Sequence, residues 1–311
     1  MTPSQLAGLR LVFRTVGVAS AVCNMLVIVF VVRLKQFHKP LQYLQAILAA
    51  SEVIQSIIYM IGNEIAASDV ILCNIVGAVA HFIFTFCLLQ NFIISLYCFI
   101  SIMYRPSVAD ACWNYYHAYV WGVSTILLVV LFLMQALWQR GDVFGDATYE
   151  CWISYKYAEL RVDLFYIPLS IHFAMLVYMY SRILFRVSQV QKSMHLEGIQ
   201  TGVIPPLSEN CEEDSEATHT GKSILRRTKS IRNATNEKLL LKAGWLACGY
   251  VLSWTAPCAT RLLALVPGAQ IPYWLSVWGA LGLASCGLWN SGIFFISWFW
   301  NDIVKLFRAK S

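Results

Sequence analysis

Residues 15–32 read TVGVASAVCNMLVIVFVV, eighteen residues with no charge and a single amide side chain at Asn24. A bilayer core is about 30 Å thick, and about 20 apolar residues rising 1.5 Å each cross it as a helix. Six further runs follow, near 41–61, 70–104, 116–138, 164–185, 239–266 and 271–300. In hydrocarbon every backbone N–H and C=O must bond within its own segment, so each run is expected to be an α-helix. The ten-residue alternation of an outer-membrane barrel strand is absent. The chain is 58% hydrophobic and 13% charged, against roughly 25% charged in a soluble domain. The expected fold is therefore an all-α membrane protein, a seven-transmembrane helix bundle over 11–300.

An odd number of crossings puts the two ends on opposite sides. Lys and Arg gather on one side: Arg33, Lys35 and Lys39, then Arg105, then a cluster over 182–242, then Lys305, Arg308 and Lys310. Glu64, Asp69, Asp142, Asp146 and Glu150 fall on the other. Basic residues mark the cytoplasmic side. The bias predicts an extracellular N-terminus (1–10), a cytoplasmic C-terminus and a multi-pass protein of the plasma membrane. No cleavable leader is expected, because the first nine residues carry no charge. The net charge of +6 then faces anionic lipids of the inner leaflet, and no nucleic acid partner is expected.

The polar stretch 188–236 is acidic in its middle and basic at its end. It reads as a long cytoplasmic third loop, partly disordered. Arg226, Arg227, Lys229, Arg232 and Lys238, with Arg105, are the candidate docking residues for a cytoplasmic protein. Ordinary positive flanking against lipid explains the same charges equally well. Thr228 and Ser230, beside Arg227, are candidate phosphorylation sites, although basic-flanked hydroxyls are common by chance. Residues 301–311 interleave Ile303, Leu306 and Phe307 with Lys305 and Arg308, which predicts a short amphipathic eighth helix on the inner leaflet.

Most of the ten cysteines lie within apolar runs and read as small buried hydrophobes. Cys73, at the mouth of helix three, and Cys151, in the second outer loop, both face an oxidising side. A bridge between them would close a loop of about 80 residues, contributing about 4 kcal/mol through chain entropy. Two free thiols is the alternative.

Polar groups in lipid are costly, so each needs an account. Asn24, Glu52, Asn290 and Ser291 fall at similar depth and are expected to form one hydrogen-bonded cluster. The functional reading is an intramembrane polar switch, with Glu52 protonated at rest and coupling helices two and seven. Structural glue is the plainer one. His81, about 12 Å down the helix from Cys73, His172 and Trp254 are the ligand-pocket candidates, and packing explains each of them as well. Pro168 and Pro257 are expected to kink helices five and six.

Cys151-Trp152-Ile153, then Tyr157, Arg161, Tyr166 and Pro168, resembles the signature at the head of helix five in cyclic-AMP-receptor-like G-protein-coupled receptors. Leu48-Ala49-Ala50-Ser51-Glu52 is similar to that family's second-helix motif, with Glu where Asp is usual. Leu96-Tyr97 and Trp289-Asn290-Ser291 also fit. The resemblance spans nearly the whole chain. It implies a receptor that binds an extracellular small molecule, of nutrient or nucleotide class, and activates a heterotrimeric G protein, with no cofactor. Helix three ends Met103-Tyr104-Arg105-Pro106 instead of in Asp-Arg-Tyr, and Asn290 is not followed by Pro. Those departures argue against a rhodopsin-like activation mechanism in detail.

Three rival readings stand beside the receptor. A retinal protein needs a Lys in helix seven for the imine, and none lies between Pro272 and Asp302. A small-solute transporter without G-protein coupling is the alternative reading, but no internal repeat is visible. An enzyme is not expected, since no metal spacing, nucleophile elbow or phosphate loop occurs.

Overall fold

The computed structural model describes residues 2–34, 40–62, 65–147, 150–200, 248–249, 251–260, 263 and 271–308. Helix one is Pro3–Arg33, helix two Pro40–Ile61 and helix three Val70–Met103. Helix four is Trp113–Trp138, helix five Ile167–Gln200 and helix seven Tyr273–Arg308. Helix six is described over 251–260. Among the described residues six helices are long and apolar enough to cross a membrane, and helix six completes a seven-helix bundle.

Local chemistry sets the helix ends. Thr2 accepts from the Gln5 N–H at 3.3 Å while the Thr2 N–H donates to Gln5 Oε1 at 2.9 Å, a reciprocal cap with Pro3 in the first turn. Residues 3–10, expected to precede the bundle, are thus the opening turns of helix one, and Leu9 is fully buried. Asp69 Oδ1 accepts from the Leu72 N–H at 3.0 Å and starts helix three. Helix four stops at Gln139, whose φ of 51° is left-handed, and Gly141 at φ 90° turns the chain back.

Helix five differs from expectation at both ends. At its start stands a π turn, Val162–Tyr166, just before Pro168, which lacks the N–H that would bond the Leu164 carbonyl. The extra residue of the π turn absorbs that loss. Toward its other end the helix runs on to Gln200, into the stretch read as loop; no Pro interrupts it before Pro205. Residues 301–308 are helical, as expected, but continue helix seven without a break. No Gly or Pro lies between Gly292 and Arg308 to turn them aside.

Helix three is the axis. From Ile83 to Cys98 it is buried on nearly every face, packed by helices two, four and five. Helix four shows the opposite pattern, turning Ile126, Phe132, Leu133 and Leu137 outward. An apolar exterior of that extent suits lipid, not water.

Candidate functional site

One end of the bundle is closed by a short antiparallel hairpin, Phe144–Asp146 paired with Cys151–Ile153, with Gly145 opposite Trp152. A Cys73–Cys151 disulfide, with Cα atoms 5.4 Å apart, ties it to the start of helix three. Gly77 lets it lie close, because a Cβ there would come 2.9 Å from Phe144 Cβ. Arg161 is 4% exposed; its Nε donates to the Ile153 carbonyl at 2.8 Å, its Nη2 donates to the same oxygen, and it lies over the Tyr155 ring. Tyr157 stacks on Trp138 and donates to the Gly141 carbonyl at 2.9 Å. The helix-five signature residues therefore act as struts that hold the hairpin on the bundle.

Beneath the hairpin lies a mostly apolar cleft that opens to the outside. Trp152 and Glu150 line it from the loop, Phe84 from helix three, Phe165 from the π turn, Trp254 from helix six and Ser276 from helix seven. Of the three pocket candidates, Trp254 is in the wall, against Phe165 at 5.6 Å. His81 is fully buried one layer behind, its ring stacked on Trp152 at 6.3 Å. His172 points to helix four: its Nε2 lies 2.6 Å from Tyr119 Oη and its Nδ1 2.6 Å from the Pro168 carbonyl. The structure does not bring His172 to the cavity.

Trp152, Glu150 and Ser276 escaped the sequence reading as wall residues. The signal was available for Trp152, since a residue next to a bridged cysteine is held against the bundle. Glu150 counted only as an outer-loop acid, yet it is 3% exposed.

Pro257 also lines the cavity. Its missing N–H frees the Ser253 carbonyl, and Gly282 of helix seven packs directly on that oxygen. A Cβ at Gly282 would come 2.6 Å from it.

Deeper, the four polar candidates meet. Asn290 Nδ2 donates to Glu52 Oε1, and Ser291 Oγ donates to Asn24 Oδ1 at 2.9 Å. A second, smaller cleft includes all four in its lining. Gly287 makes the approach of helices one and seven possible, because a Cβ there would overlap Asn24 Nδ2 and Ser20 Oγ.

At the far end, Arg105 is exposed and precedes a short helix, Pro106–Ala111. Tyr97 Oη donates to Asp110 Oδ1 at 2.8 Å, and Tyr180 Oη donates to Ser95 Oγ at 3.0 Å. These bonds join helix three to the short helix and to helix five, in a chain that has no Asp-Arg-Tyr. Arg226, Arg227, Thr228, Lys229, Ser230, Arg232 and Lys238 lie outside the described residues.

Residues 4–197 match the family described as slime mold cyclic AMP receptor. No curated protein sequence matches the chain. Among solved structures the chain is similar to squid rhodopsin, with a TM-score of 0.67 and 15% identity over 96% of this chain and 83% of that one. At that identity the likeness is one of fold.

Proposed function

The chain belongs to the slime mold cyclic AMP receptor family, and from that premise we propose that it is a plasma-membrane G-protein-coupled receptor for a small extracellular molecule. A receptor of this type is a multi-pass membrane protein and not an enzyme. The observation that carries the reading is the cavity under the bridged hairpin, walled by helices three, six and seven. Its place beside a disulfide supports an outward-facing mouth, as does the concentration of Lys and Arg toward the opposite end. Retinal chemistry does not come over with the rhodopsin fold, since the apolar length of helix seven, residues 273–300, has no Lys.

The ligand acts by population shift. It binds more tightly to the arrangement in which helix six stands away from helix three, and a heterotrimeric G protein prefers that arrangement too. Pro257, with Gly282 against the freed Ser253 carbonyl, gives helix six its pivot. Arg105 and the basic flank 226–238 supply part of the docking face, with anionic lipid beside it. The Asn24, Glu52, Asn290 and Ser291 cluster ties helices one, two and seven, and Glu52 is the group whose bond to Asn290 changes between the two states.

Purified receptor, reconstituted in lipid with purified G protein, tests this while nutrients and nucleotides are screened. At least one ligand should accelerate nucleotide exchange. Uptake of labelled solute by the same vesicles, with no exchange for any ligand, would overturn the reading in favour of a carrier.

A further inference from the structure

Two walls of the upper cavity carry a polar atom that the described residues leave open. Trp152 Nε1 and Ser276 Oγ are buried with no hydrogen-bond partner among the described residues. Each residue is 2% exposed, and both line the cavity. Buried polar atoms are nearly always partnered, so an open pair in a cavity wall asks for something to fill it. Trp152 cannot turn to find a partner elsewhere. His81 stacks on its ring at 6.3 Å, Phe165 meets it edge to face at 5.2 Å, and Tyr166 and Phe84 stand at 6.4 and 6.2 Å. Arg161 fixes the next residue's carbonyl.

Resting on the receptor reading above, we propose that this cavity binds a planar ring compound bearing a hydrogen-bond acceptor. Trp152 Nε1 donates to that acceptor, Ser276 Oγ bonds a second polar atom of the ligand, and Arg161 is the positioning residue. The open valences decide the chemistry. An indole N–H only donates, so the ligand must bring an acceptor; an ammonium group, which only donates, leaves Trp152 open. Phe84, Phe165 and Trp254 offer ring faces and edges on which a flat ring packs in offset or T-shaped geometry.

The test uses the full chain in lipid nanodiscs and two probes of the same shape, quinoline and naphthalene, which differ in one acceptor nitrogen. Affinity is read from the shift of the thermal unfolding midpoint with probe concentration. Quinoline should bind wild type about three- to tenfold more tightly. Trp152→Phe should abolish that preference and keep naphthalene binding. Arg161→Lys should shrink the preference, an effect that mere destabilisation would not produce, and it serves where Trp152→Phe does not fold. Equal binding of the two probes to wild type, or a preference that survives both substitutions, overturns the proposal and leaves water as the partner of that N–H. Nucleotide exchange measured on the same nanodiscs keeps the two readings apart: lost exchange with an intact probe preference sinks only the receptor reading.

Discussion

Asn290 donates to Glu52 Oε1, and the Asn290 amide would lose that acceptor without the carboxyl. Glu52→Gln keeps an acceptor oxygen in place, so it should hold stability within about 1 kcal/mol of wild type. Glu52→Leu leaves the Asn290 amide open and should cost about 1–3 kcal/mol. Midpoints in nanodiscs measure both. Equal loss in the two variants would mean that the carboxyl does more than accept that bond. Normal G-protein exchange in Glu52→Gln would make the cluster a structural tie and remove its switching role. Gly287 makes the complementary case, since any Cβ there overlaps Asn24 and Ser20. Gly287→Val should separate helices one and seven and cost about 1–3 kcal/mol through overpacking. The depth of the polar cluster was legible, because counting residues along a spanning helix gives height. Gly287 was not, because the need for a missing side chain arises on another helix. His172 shows the same limit. Counting along the helix puts it near the level of Trp254, but the π turn before Pro168 inserts one residue, and one residue turns a helix by about 100°. Height came from the count; the face did not.

Among the helices, existence was easier to read than extent. Unbroken apolar runs announce spans because lipid admits no other backbone. Helix ends outside the hydrocarbon depend on caps and on the lack of breakers. Thr2 with Gln5 was a readable cap that an apolar-run criterion passes over. Helices five and seven run on because nothing stops them, and their polar ends look like loop when only hydropathy is weighed. Helix six meets helix seven closely where the freed Ser253 carbonyl lies against Gly282, and again where Trp289 lies over Gly249. Backbone atoms cannot step aside cheaply, so Gly282→Val should push the two helices apart at their waist. Spin labels placed toward the far ends of the two helices should report a wider separation in Gly282→Val than in wild type. Pro257→Ala restores the N–H that bonds Ser253, straightens helix six and should narrow that distance again in the double variant. An unchanged distance in Gly282→Val would show that the helices pivot elsewhere.

The two ends of the bundle are built for different work. The bridged end carries a hairpin that is held by Arg161, Tyr157 and the Cys73–Cys151 bond, and it roofs a cavity. The far end carries exposed Arg105 and a short helix held by Tyr97 and Asp110. The bridge spans 78 residues, for which unfolded-chain entropy gives about 4.5 kcal/mol. That figure assumes a chain free over its whole length, whereas helices three and four would keep their form in lipid even with the bundle apart, since their backbone groups have no other partners. Only the connecting segments regain freedom, so reduction should lower stability by much less, about 1–3 kcal/mol. The loss should also be local. Reductant should speed amide exchange over residues 144–153 and leave the buried stretch of helix three, 83–98, protected. A Cys73→Ser, Cys151→Ser variant should show the fast pattern from the start and ignore reductant. Because Trp152 stands next to Cys151, reduction should also weaken binding in the cavity beneath it. Exchange that rises equally through helix three would instead make the bridge a support for the entire bundle, and the roof would no longer be a separate, adjustable part.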